Sequence, residues 1–258
     1  MRRIILEEPW ARTAVWSRGF ALFAFAVALI GLVMARAGLD PTAAMAIEGA
    51  AIVIAAAAVL LALAAMVVIW RTGYRGTGRL LAGLFVAAVV LAYPAFTLFQ
   101  ANRIPSLSDV STDLADPPHF ATSREALALR GGVTPGEPTS AMQDIQRRLY
   151  PDIQPIVLDI EAMDAHALIL KIVTARHWRI TDDALPLGRF GVGRIDAVAK
   201  TMPMGFPADV TIRIKPLAGQ ARVDIRSVSR TPWQEPGSNA ARIEALAADL
   251  DDQSSDEK

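Results

Sequence analysis

The chain has 258 residues, 53% of them hydrophobic, with 26 basic and 26 acidic side chains and no cysteine. The lack of cysteine excludes a disulfide framework and a thiolate site. Residues 1–102 carry eight Lys/Arg against four Asp/Glu and residues 103–258 eighteen against twenty-two, so the back of the chain is acidic, without the basic stripe of a nucleic-acid binder.

Three apolar runs fill residues 1–102, which read as a transmembrane module: Gly19–Ala35, Gly49–Trp70 and Leu80–Asn102. A helix needs about 20 apolar residues, range roughly 17–25, to cross the hydrocarbon core, so each run predicts a span. None contains Asp, Glu, Lys, Arg or His, which argues against an ion pathway or proton relay. Small residues recur four apart, as in Ala24 and Ala28, Gly31 and Ala35, Ala51 and Ala55, and Gly83 and Ala87. That spacing lets helix backbones approach, either within this module or against another membrane protein.

Basic residues set the expected orientation. Arg2, Arg3, Arg12 and Arg18 precede the first span, and Arg71, Arg75 and Arg79 lie between the second and third. Only Arg36, beside Asp40 and Glu48, lies between the first and second. The expectation is a protein integral to the cytoplasmic (inner) membrane, with a cytoplasmic N-terminus and everything after Asn102 in the periplasm.

Residues 103–121, rich in Pro, Ser and Asp, predict a linker. The readable periods begin beyond it. Ser140–Tyr150 and Asp164–His177 predict helices, Ile156–Ile160 a short strand, Trp178–Thr181 the start of another, and Arg194–Thr201 a third. Gly188, Gly191 and Gly193 mark a turn. Asp209–Pro216 alternates, with Val210, Ile212 and Ile214 on one face and Thr211, Arg213 and Lys215 on the other. Leu217–Gln220 is a hairpin turn, Arg222–Arg230 the returning strand and Asn239–Leu250 the closing helix. Strands between helices, the last two joined by a hairpin, predict an α+β domain over 122–250, an antiparallel sheet with helices packed on one face. The charged tail 251–258 is expected to be disordered.

The polar residues of this last stretch stand out. Arg226-Ser227-Val228-Ser229-Arg230 leads into Gly237, Asn239, Arg242 and Ile243. The pattern resembles the C-terminal signature of the family known as domain of unknown function 1499, and Gly205-Phe206-Pro207 with Asp209-Val210 is similar to another of its elements. Asp109 to Asp113 followed by Pro117-Pro118 is similar to the opening of its membrane-anchored members. Many members have Ser-Asp where this chain has Gln234-Glu235, and Gly where it has Pro232. The resemblance implies a family and no activity. It leaves open whether the opening segment is an extended tether or packs on the domain, with Thr112 and Asp113 reaching the signature.

Strand alternation places Val223 and Ile225 inward with Ser227 and Ser229, and Asp224, Arg226 and Arg230 on the opposite face beside Arg213. That face reads either as an anion-binding surface or as a solvated one neutralised by Asp224, Glu235 and Asp196. Neither Arg226 nor Arg230 is expected in the core; Arg226 is expected to act at the surface and Arg230 to hold the loop through Glu235. Asn239 is expected to cap the final helix, and Trp233 is a candidate contact anchor. The candidate ligand or partner residues are therefore Asp113, Arg213, Arg226, Ser227, Ser229, Arg230, Trp233, Glu235, Asn239 and Arg242. His119, His166 and His177 have no metal-ligand spacing, no G-x-S-x-G elbow occurs, and no catalytic residue, metal or cofactor is assigned. The expected partners are the lipid bilayer and an envelope or membrane protein, with no nucleic acid. The function expected is a membrane protein presenting a non-catalytic periplasmic domain that binds an envelope partner or an amphipathic or anionic ligand. The alternative is an envelope hydrolase using Asp113 or Glu235 with the Arg226–Arg242 cluster.

Overall fold

A computed structural model describes residues 9–104, 106–187, 191–233 and 235–256, with side chains as far as residue 254. Arg2, Arg3, the turn residue Gly188 and Gln234 lie outside the described residues. The chain forms two compact units, Met1–Arg103 and Ile104–Lys258.

The first unit is three helices long and apolar enough to cross a membrane: α1 (Arg12–Arg36), α2 (Pro41–Thr72) and α3 (Thr77–Ala101). Asp40 starts α2 by accepting from the Thr42 amide at 2.9 Å, with Pro41 at the first helical position. Gly73, at φ +70°, ends it in the left-handed conformation that glycine adopts without strain. The small residues face inward: Ala21, Ala24, Ala55, Ala58 and Ala87 form one buried cluster. At Gly83 a Cβ would stand 2.8 Å from Ser17 Oγ and 2.9 Å from the Arg18 nitrogen, so only glycine allows that crossing. Ser17 donates to the Ala58 carbonyl at 2.9 Å. The four-residue spacing is thus used largely within the bundle, while Phe23, Trp70 and Phe85 point outward. Arg75 accepts from the Ala11 amide at 2.9 Å, and the Arg79 guanidinium lies 3.8 Å from the Trp10 ring centroid. The start of α1 and the α2–α3 loop therefore share one end of the bundle, as an even number of crossings between them requires.

The second unit is an antiparallel sheet with helices. Its elements are β1 (Asp109–Ser111), α4 (Arg124–Leu129), α5 (Ser140–Leu149), β2 (Ile156–Leu158), α6 (Ala162–Ala175) and β3 (Arg179–Ala184), then β4 (Gly193–Lys200), β5 (Pro207–Pro216), β6 (Ala221–Ser229) and α7 (Ser238–Asp256). The strand order is β1-β6-β5-β4-β3, with β2 pairing β6 beside β1. Ile195, Ile212 and Ile225 line up across β4, β5 and β6. They pack with Val223 and Ile214 against Leu168, Ile169 and Ile172 of α6 and Ile243, Leu246 and Leu250 of α7. The alternation of β5 and β6 dictates this layer, because period 2 puts every second side chain on the helix side.

Two expectations are corrected here. The predicted linker 103–121 contains β1, whose Val110 is core and whose register runs from Asp109 opposite Val228 to Ser111 opposite Arg226. Its outer edge is completed by Gln146 of α5, which accepts from the Ser111 amide at 3.1 Å and donates to the Ser111 carbonyl at 2.6 Å. A side-chain amide thus stands in for a neighbouring strand. The tail expected to be disordered from residue 251 instead continues α7 to Asp256.

Candidate functional site

The sheet face away from α6 and α7 carries the charges that alternation assigns to it, and the chain between β1 and α5 covers it. Arg226 donates to both oxygens of Asp109, at 3.0 and 2.7 Å, and to the carbonyls of Pro118, at 3.3 Å, and Gly136. Arg130, at the end of α4, reaches Asp196 at 3.2 Å and the Ala121 carbonyl. Both guanidiniums lie 5.5 Å from the centroid of Phe120. Asp196 also accepts from the Ala121 amide at 2.7 Å. Arg213 grips Asp224 at 3.0 and 2.7 Å and donates to Asp116 at 2.9 Å, and Arg230 grips Asp209 at 2.9 and 2.7 Å. Asp113 lies between Arg222, at 2.6 Å, and Arg213, at 3.4 Å.

These contacts overturn the expectation of an open basic face. Arg226 is 1% exposed and is the largest fully buried side chain among the described residues. Arg230, just past the end of β6, holds Asp209 of β5 rather than the loop through Glu235. Burial raises the Asp196 carboxyl above its ordinary range, opposed by hydrogen bonding and by Arg194 and Arg130. Exposed Asp116 is shifted the other way, by Lys215 first and then by Arg213. Buried charges survive only when paired, so Arg213, Arg226 and Arg230 are committed to the fold's own carboxylates. Asp113 is likewise held by two guanidiniums, which leaves it no part in a shared cluster with Arg242.

The serines of β6 point the other way, towards the start of α7. Ser227 donates to Asn239 Oδ1 at 2.9 Å, and Asn239 Nδ2 donates to the Leu107 and Ser108 carbonyls and to Ser229 Oγ at 3.0–3.1 Å. Asn239 therefore does not cap α7. The helix starts one residue earlier, at Ser238, and the Asn239 side chain ties the approach to β1, the end of β6 and α7 together. Arg242, one turn further along, donates from Nη1 to Ser227 Oγ and Asn239 Oδ1, both at 2.8 Å. Among the described residues it makes no other hydrogen bond and no carboxylate lies in ion-pair contact with it. Burial holds its guanidinium down to about 10, with the more distant charge of Glu235 opposing.

After α5, on the 231–237 loop and at the start of α7 lie groups that sequence reasoning did not single out. Tyr150 Oη, Thr231 Oγ1 and Ser238 Oγ are buried without a hydrogen-bond partner. A Cβ at Gly237, φ +75°, would stand 3.4 Å from Tyr150 Oη and 3.6 Å from Ile104. Burial, and then Glu244, raises the Tyr150 hydroxyl above its usual range, so it stays a neutral donor. Glu235 accepts from the Thr201 hydroxyl at 3.1 Å, which joins the 231–237 loop to the turn before β5. Trp233 on that loop is 46% exposed. The only signal for Thr231 and Ser238 was their position beside the Gly237–Arg242 signature. Tyr150 reads in sequence simply as the residue before a helix-ending proline.

Buried apolar positions, paired charges and the Asn239 tie explain most of the polar signature as architecture. Arg242 joins that tie through Nη1 and, unlike Arg213, Arg226 and Arg230, has no carboxylate in ion-pair contact among the described residues. Comparison with protein families matches residues 109–250 to the family described as "Protein of unknown function (DUF1499)". Comparison with curated proteins finds no match. The match begins at β1 and ends within α7, covers more than half of the chain, and shows that this protein belongs to the DUF1499 family.

Proposed function

We propose that this chain is an integral membrane protein whose three helices anchor an extracytoplasmic, non-catalytic domain, and that this domain binds an anionic or amphipathic ligand or an envelope partner at its Arg242 end. One observation carries the reading. Arg213, Arg226 and Arg230 each grip a carboxylate, while Arg242 is engaged, among the described residues, only through one nitrogen and only by uncharged acceptors. A partly desolvated guanidinium with free donors binds carboxylate or phosphate more strongly than a fully hydrated one. The alternative hydrolase has lost Asp113 to its two arginines, and Glu235 remains its one carboxylate candidate.

The test is a calorimetric titration of the full chain with dodecyl phosphate and with dodecyl trimethylammonium. Binding of the phosphate amphiphile alone, weakened about tenfold or more by Arg242→Gln, is the expected result, since a tenfold change corresponds to roughly 1.4 kcal/mol. Equal binding of the two amphiphiles, or no effect of Arg242→Gln, would overturn the reading.

A further inference from the structure

We propose that the end of the three-helix unit where α1 and α3 begin holds the phosphate of an anionic phospholipid, seated on the Trp10–Arg79 pair. This site lies wholly within the first unit and is independent of the Arg242 reading. Residues 1–18 and 71–79 carry seven Arg against two Glu, Glu7 and Glu8. Backbone contacts draw these stretches together. The Ala11 amide donates to the Arg75 carbonyl at 2.9 Å and the Arg75 amide to the Pro9 carbonyl at 3.2 Å. A Cβ at Gly76 would stand 3.1 Å from Ala14 Cβ. The chain before α1 is thereby laid along the α2–α3 loop, and the Arg79 guanidinium comes to lie over the Trp10 ring, 3.8 Å from its centroid.

Two features of this end call for an anion. Both α1 and α3 start here without a side-chain cap and without an acid in the first turn, where Arg12 and Arg79 stand instead. A helix start carries unpaired amides and the positive end of the dipole, so it disfavours a cation and favours an anion. The other feature is the way Arg79 is held. Among the described residues it has no hydrogen bond or ion pair, so the ring fixes the guanidinium while its outward N–H donors stay available. A guanidinium fixed in this way loses little freedom when it takes a phosphate through two parallel bonds.

The surroundings identify the source of the phosphate. Trp10 is 50% exposed, and α1 and α3 lead away from this end as helices of 25 residues, each apolar enough to cross a membrane. An amphipathic ring at the end of a span sits at headgroup level. Headgroups of the surrounding bilayer are therefore present at high effective concentration, and clustered basic side chains at span ends select the anionic ones. A zwitterionic lipid would bring a cation of its own into a field that is already positive.

The full chain in dodecyl maltoside is titrated with dioctanoyl phosphatidylglycerol, dioctanoyl phosphatidylcholine and glycerol phosphate, and bound ligand is counted by native mass spectrometry. Each titration is repeated in the Arg242→Gln background, so that this site and the Arg242 end can fail separately. Phosphatidylglycerol should bind about tenfold more tightly than the other two. Trp10→Leu, which changes no charge, and Arg79→Gln should each weaken it about tenfold, and Arg71→Gln by about twofold or less. Circular dichroism checks that the helices of each variant stay intact. Equal binding of the two lipids, or binding indifferent to both Trp10→Leu and Arg79→Gln, would overturn the site. Equal losses from Arg79→Gln and Arg71→Gln, with Trp10→Leu silent, would overturn it in favour of diffuse attraction. Glycerol phosphate bound as tightly as the lipid would overturn the lipid source.

Discussion

Arg226 donates to both oxygens of Asp109 and to two backbone carbonyls, whereas Arg242, among the described residues, donates only to an amide oxygen and a hydroxyl. Removing one partner of a buried pair strands the other, at a cost of about 3–5 kcal/mol. Arg226→Gln should therefore unfold well below the wild type, with buried Asp109 left without its guanidinium partner. Arg242→Gln loses two hydrogen bonds and also the burden of a partly buried cation held down to about 10, so the net change should be about 1 kcal/mol or less. Thermal unfolding of the two variants separates them; equal losses would show that Arg242 is structural too. Asp196 adds a prediction in pH. Its folded carboxyl titrates above the ordinary 3.8 because it is buried, so at neutral pH the burial cost of its charge is present in full. As pH falls through the folded value the native state takes the proton first, and the gain is complete below the unfolded value. The wild type should gain stability relative to Asp196→Asn as the medium is acidified from about pH 7 to about pH 4. A gap that moves the other way in amide exchange of β4 would mean that Arg130, not burial, governs this carboxyl.

Among the elements, the hairpin of β5 and β6 was legible because its alternation is unbroken and its Leu217–Gln220 turn closes with a 2.8 Å backbone bond. The helices α6 and α7 were legible from their apolar stripes for the same reason. Alternation says which side chains share a face, but not what lies above it. The cover over Asp109, Asp196 and Arg226 comes from residues such as Pro118, Phe120, Ala121 and Gly136, in a stretch with no period to read. An open basic face was the natural expectation, and a paired, buried one is what the cover makes of it. β1 escaped for a related reason. Three residues are too few for a pattern, and the strand is held on one side by β6 and on the other by the Gln146 side chain, a long-range contact without local signal. The signature itself was visible as a pattern, and only the geometry divides it into the Asn239 tie and Arg242.

For the molecule as a whole, the three spans and the basic residues at one end of the bundle support a single orientation. Arg12, Arg18, Arg71, Arg75 and Arg79 flank the end that carries the start of α1 and the α2–α3 loop, and positive charge is retained on the cytoplasmic side. On the proposed orientation an odd number of crossings puts the DUF1499 domain outside, with the proposed ligand one of the envelope. The central claim, a ligand-binding domain outside the cytoplasm on its own membrane anchor, is tested most directly by locating that domain. A reporter enzyme that folds only outside the cytoplasm is fused after Lys258, leaving the domain intact, or inserted at Gly73–Gly76. The account predicts activity from the first fusion and none from the second; activity from the second alone would contradict it.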